Sequence, residues 1–211
     1  MDTNTIKLIL IAAGAVVVLI ALLISFKAIK TSVLRKKGTI TQHRVSRYLH
    51  KFAGIRSFKV INGLKLKNGE ETVTIDHLLI GFFGVLLLTD VNEIGYVYGD
   101  YKDVQWISIV LDKDNQEKSK NNFANPVRTM EKCNETLRKL FAANNLYKIA
   151  SEGFIVFGDP KVQLTNLKKK NGMPLMTIKQ LKKLLAKDKY SADGPVDVKE
   201  IYDLLMANAV K

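Results

Sequence analysis

Thr74-Ile75-Asp76-His77-Leu78-Leu79-Ile80-Gly81-Phe82-Phe83-Gly84-Val85-Leu86-Leu87-Leu88-Thr89-Asp90-Val91 is the stretch whose reading decides the fold. Its first half belongs to a strand, Thr72 to Ile80, that begins with β-branched residues. Gly81-Phe82-Phe83-Gly84 supplies a turn, and Val85 to Val91 the next strand. The run Val85 to Leu88 is apolar on both faces. A strand of that kind sits in the middle of a sheet covered by helices on both sides.

Working outward, the period of two extends from Ser57 to Ile109. Phe58 to Leu66 reads as a strand, and Asn68-Gly69 is a strong two-residue hairpin signal. Tyr96 to Tyr98 and Trp106 to Val110 are shorter strands, with Trp106 most simply a core aromatic. Asp112 to Asn122 is so polar that it reads as an exposed loop. Before the strands, Val45, Tyr48, Leu49 and Phe52 recur at helical spacing over Thr39 to Lys51, and Gly54 ends the helix. Arg44, Arg47 and Lys51 fall on its solvent side.

After the strands, Asn125 caps a helix that starts at Pro126 and buries Met130, Leu137, Leu140 and Phe141. Phe154 to Phe157 is a short apolar strand, and Lys161 to Thr165 reads as another. Thr177 caps a helix with Ile178, Leu181, Leu184 and Leu185 inward. Asp197 caps the last helix, three residues before Glu200, with Ile201, Leu204 and Leu205 apolar. The expected fold class is α/β: a mixed central sheet flanked by helices, preceded by one transmembrane helix. The expected parts are a tail (1–7), a span (8–26), a basic juxtamembrane linker (27–38), a domain (39–190) and a C-terminal helix (191–211).

The span rests on Leu8 to Phe26, which holds no charge and no proline. At about 1.5 Å per residue it nearly crosses a hydrocarbon core of about 30 Å. Only Asp2 and Lys7 precede it as charges, whereas Lys27 to Lys51 holds eight Lys/Arg and no acid. That asymmetry predicts a single pass, N-terminus outside and C-terminal domain cytoplasmic. A cleaved signal peptide fits less well: the run exceeds an h-region of about 7–15 residues, and no small-x-small site precedes the basic stretch.

The chain has 211 residues, 47% of them hydrophobic and 25% charged, and the soluble part is long enough for one sizeable core. Cys133 is the single cysteine, which excludes an internal disulfide and any zinc site built on paired cysteines. The net charge of +13 favours anionic partners, either phospholipid heads or nucleic acid. Candidate contacts are Lys27, Lys30, Arg35, Lys36, Lys37, Arg44 and Arg47. Lys168-Lys169-Lys170 and the lysines at 179, 182, 183, 187 and 189 could track phosphates, but lysines on a helix more often form its solvated face. There is no Gly-rich phosphate loop, nucleophile elbow or HExxH motif.

Four ordered matches carry a resemblance over about Lys37 to Leu185. They are Thr74 to Ile80 as an I-D-H-hydrophobic strand and Gly84 to Leu88 as a G-hydrophobic strand. They continue with Gly95-Tyr96-Val97-Tyr98-Gly99-Asp100 followed by Trp106, and with Asn125-Pro126-Val127-Arg128 as an N-P-hydrophobic-R helix start. Together they resemble the nuclease-related domain family, NERD, a relative of PD-(D/E)XK nucleases. The resemblance implies a restriction-endonuclease-like sheet and an acid on one strand with E-x-K on the next. Two carboxylates there hold Mg²⁺ and the lysine activates water.

Asp76 matches the first acid, but Thr89 stands at the Glu position and Val91 at the Lys position. The family's G-E near the first helix is Thr41-Gln42 here, and the glutamine after N-P-x-R is Thr129. Asp90 should face away from the Thr89 side, because successive strand residues alternate. Asp76 reads as a metal ligand or, with its partners missing, more readily as a strand-end carboxylate bonded to backbone amides. His77, on the opposite face, reads as a structural or surface histidine. His43 and His50, seven apart, have no zinc-like partners.

The expectation is a membrane-anchored binding or scaffolding module on a nuclease-like fold with a degraded metal site, a pseudoenzyme needing no cofactor. Its partner would be anionic lipid, nucleic acid or another protein. The alternatives are a Mg²⁺-dependent DNA nuclease using Asp76 with a relocated acid such as Asp90 or Glu93, and a nucleic-acid binder that does not cleave.

Overall fold

A computed structural model describes residues 2–165, 167–168 and 174–210. The chain divides into two compact units, Met1–Ile40 and Thr41–Lys211. The first unit is one helix, α1 (Thr3–Lys36). Within it Ala13–Lys36 is long and apolar enough to cross a membrane, and none of that stretch is buried. The basic stretch after Phe26 continues the same helix to Lys36 rather than leaving it as a linker. Gly38 then adopts φ +65, and Gly38 N–H and Thr39 N–H donate to the carbonyls of Arg35 and Leu34. A left-handed glycine closing back on the last turn stops a helix abruptly.

From Thr41 onward, the helix α2 (Ile40–Ala53) opens the second unit, and its apolar stripe has the expected spacing. Three antiparallel strands follow: β1 (Lys59–Asn68), β2 (Glu71–Gly81) and β3 (Gly84–Val91). The hairpin forms one residue further on than expected: Asn68 still pairs with Glu71, so the turn residues are Gly69 and Glu70, with Gly69 at φ +65. Next come β4 (Gly95–Asp100), β5 (Gln105–Leu111) and β6 (Glu117–Ala124), then α3 (Pro126–Ala143) and β7 (Ser151–Phe157). Two two-residue strands, β8 (Val162–Gln163) and β9 (Leu167–Lys168), precede β10 (Leu175–Thr177) and the helices α4 (Ile178–Leu185) and α5 (Val198–Ala207).

The mixed sheet is real, but the strands divide between two sheets. The first has the order β1-β2-β3-β7-β10, with β3, β7 and β10 parallel, and the second the order β6-β5-β4-β8. Two further corrections come from polarity and length. Most of the stretch read as a loop is β6, paired antiparallel with β5. Its residues Glu117 to Asn122 are exposed, so no apolar alternation marks it. Such a charged edge is how a sheet avoids pairing with other chains. The strand expected over Lys161 to Thr165 shrinks to Val162–Gln163, because only Val162 is buried there. Of the Lys168-Lys169-Lys170 run, Lys169 and Lys170 lie outside the described residues.

Helices cover both faces of the first sheet, as the apolar run of β3 requires. On one face Leu78, Ile80 and Leu87 pack with Met130, Leu137 and Phe141 of α3 and with Ile201 and Leu205 of α5. On the other, Leu79, Leu86 and Leu88 pack with Val45 and Leu49 of α2 and with Leu181 and Leu185 of α4. Each such leucine contributes about 1.5–3 kcal/mol through burial. The two faces therefore lock the register of β2 and β3, which fixes where Asp76 and Asp90 point.

Candidate functional site

His77 pairs with Leu88 across β2 and β3, so Asp76 lies beside Thr89 on the α3 side of the sheet. The Asp76 carboxylate accepts the backbone N–H of Asp90 at 2.9 Å. Thr89 and Val91 are each only 6% exposed, and Val91 belongs to the apolar core. Gln42 is exposed on α2. Its neighbour Thr41 is buried: Thr41 Oγ1 donates to the Val91 carbonyl (2.7 Å) and accepts from Gly158 N–H (3.1 Å). Thr129 is exposed on α3.

Asp90 points to the opposite face, as strand alternation requires. His77 Nε2 lies 2.8 Å from Asp90 Oδ2, and Asp90 Oδ1 is buried with no hydrogen-bond partner among the described residues. Burial pushes the Asp90 carboxyl up; the His77 hydrogen bond opposes that and the nearby Asp76 charge adds to it. The His77 side chain is fully buried, so it is structural rather than a surface residue. Its Nδ1 lies 2.6 Å from Asn62 Oδ1 of β1. Asn62 Nδ2 in turn reaches Ser46 Oγ at 3.2 Å and His50 Nε2 at 3.1 Å, both on α2.

A polar chain thus runs from α2 across three strands. Sequence reading missed it, although His77 and Asp90 share a face by alternation and Asn62 breaks an apolar strand. The other relocated acid, Glu93, accepts from Ser108 Oγ and Asn121 Nδ2 of the second sheet. Among the described residues no group of three or more His, Cys, Asp and Glu side chains is arranged to hold a metal ion. Mg²⁺ asks for several converging oxygens, usually more than one of them charged. At the nuclease position only Asp76 supplies a charge, and it is engaged by an amide. The residues present do not fit the ion.

Arg44 and Arg47 come together with Lys51, Lys179 and Lys182 around a cleft of about 640 Å³ between α2 and α4. Tyr48, Phe157, Pro160 and Ile178 supply its apolar lining. Arg44 Nη1 donates to the Gly158 carbonyl at 2.7 Å, which holds the guanidinium at the end of β7. The ammonium of Lys182 stands 5.5 Å from the centre of the Tyr48 ring. Among the described residues no carboxylate is in ion-pair contact with any of the five cations. Buried Asp159 also lines the cleft and accepts from Lys161 N–H. The other candidate contacts, Lys27, Lys30, Arg35, Lys36 and Lys37, belong to the first unit.

The class defined by the fold is a mixed α/β domain with an acid-bearing β2–β3 hairpin at the centre of its first sheet. The chain belongs to the nuclease-related domain family, NERD, whose family model matches residues 37–158. No curated protein matches the chain.

Proposed function

We propose that the protein is a membrane-anchored, cytoplasmic binding module in which the family's metal site is degraded and no nuclease chemistry is performed. The observation that carries this reading is the occupation of Asp76. Its carboxylate caps the Asp90 amide, while the partner positions are a buried threonine and a buried valine. A neutral hydroxyl and an isopropyl group cannot supply the second carboxylate and the water-activating amine. The substitutes are engaged elsewhere: Asp90 contacts His77 and Glu93 contacts Ser108 and Asn121.

The binding role draws on Arg44, Arg47, Lys51, Lys179 and Lys182 around the α2–α4 cleft, none of them ion-paired with a carboxylate among the described residues, which favour an anionic partner. Membrane anchoring draws on α1, and its orientation on the Lys/Arg excess that follows the apolar run.

Titration calorimetry of the full chain in lipid nanodiscs tests the reading. Mg²⁺ and Mn²⁺ should give the same weak heats with the wild type and with Asp76→Ala. Linear, nicked and single-stranded DNA should be cut no faster by the wild type than by the variant. An Asp76-dependent heat or cleavage would sink the proposal and restore the nuclease.

A further inference from the structure

The cleft between α2 and α4 has a composition that a general attraction to anions does not explain. Five cations and one buried carboxylate, Asp159, surround Tyr48, Phe157 and an apolar wall within about 640 Å³, so positive charge dominates the lining. That volume falls in the range of about 300–1,000 Å³ typical of small-molecule sites. A strand of nucleic acid needs an extended basic track with successive aromatic platforms, and here Tyr48 and Phe157 are the aromatics of a single half-open cleft. A polyhydroxylated lipid headgroup would match the cations but leave the apolar wall without a partner. Two of the cations, Lys179 and Lys182, lie beyond residues 37–158, the part that the family model matches.

We propose that this cleft binds a nucleoside polyphosphate, with its phosphates on the cationic rim and its base against Tyr48. The inference deepens the reading of the domain as a non-catalytic anion binder and rests on it. Arg44, held by the Gly158 carbonyl, presents its remaining N–H groups to a phosphate without having to be ordered first. Lys51 approaches from α2, and Lys179 and Lys182 from α4. The Lys182 ammonium stands 5.5 Å from the centre of the Tyr48 ring, so a base stacking on that face displaces it toward the phosphates.

The test is calorimetry of the full chain in nanodiscs with ATP, inorganic tripolyphosphate, inositol hexakisphosphate and a 20-mer single-stranded DNA, without divalent metal. One-to-one ATP binding is expected, weakened about tenfold or more by Arg44→Ala and by Lys179→Ala. Tyr48→Leu should remove the preference for ATP over tripolyphosphate while leaving tripolyphosphate binding in place. Asp76→Ala should bind ATP as the wild type does.

No saturable ATP binding by folded protein overturns this inference and leaves the non-catalytic reading standing. So does equal affinity for ATP and tripolyphosphate, tighter binding of inositol hexakisphosphate that is indifferent to Tyr48→Leu, or DNA binding that ATP does not displace. ATP binding that appears only with Mg²⁺ and vanishes in Asp76→Ala overturns both readings.

Discussion

Asp76 and Asp90 are adjacent across two strands and meet different fates because they face opposite sides of one sheet. Asp76 serves as a backbone cap. Replacing it with alanine leaves the Asp90 N–H without its acceptor and should cost about 1–3 kcal/mol. Asp76→Asn keeps an amide oxygen at the same place and should recover most of that loss. Urea unfolding followed through Trp106, the single and fully buried tryptophan, reads both.

Asp90 should leave a signature in pH. Its folded-state pKa is raised, chiefly by burial. Between the ordinary aspartate value of about 4 and the raised one, the native state therefore holds more protons than the unfolded state. The group's contribution is fully present below that interval and is lost as pH rises through it. Relative to Asp90→Asn, which does not titrate, the wild type should lose stability as pH climbs above about 4. A difference that stays flat or grows with pH would mean that His77 outweighs desolvation.

At the scale of elements, the beginning of α2 and the end of β7 are joined through Thr41 and Gly158. A Cβ on Gly158 would lie 2.5 Å from the Thr41 Cα, so the two segments approach as closely as glycine allows. Gly158→Ala should push α2 away from β7 and cost about 1–3 kcal/mol. Because Arg44 is anchored on the Gly158 carbonyl, the same change should widen the cleft.

The elements that packing dictates were legible in the sequence. β3 announced its burial through Val85 to Leu88, and Asn125, Thr177 and Asp197 each cap the helix that follows. β6 was not legible, because an exposed edge strand needs only ladder hydrogen bonds and leaves no hydrophobic period. The resemblance puts Thr89 and Val91 at the E-x-K positions, while their burial came only from the structure. The chain from His50 through Asn62 and His77 to Asp90 was not legible, because it depends on which strands lie side by side. The cleft was half legible: Arg44 and Arg47 stood out, while Lys179 and Lys182 read as an ordinary solvated helix face.

For the whole molecule, the proposed orientation can be tested with one reagent. Cys133 is buried, and burial together with the Asp76 charge pushes its thiol up to about 11. The native chain should therefore react slowly with maleimides. Asp2→Cys should then be labelled by a membrane-impermeant maleimide on intact cells, and Lys118→Cys only after lysis. The reverse pattern would invert the topology, and labelling of both on intact cells would remove the span.

The burial of Thr89 and Val91 has a consequence for anyone hoping to write the family's E-x-K pair into this chain. Glutamate and lysine at those two positions would recreate the family's motif on paper. Each longer, charged side chain would have to enter space already filled, and an unpaired charge taken out of water is among the most costly changes a fold can suffer. On the non-catalytic reading proposed above, metal chemistry is barred by volume as well as by spelling. A restored site would need α3 to withdraw from the strand before the new residues could meet an ion.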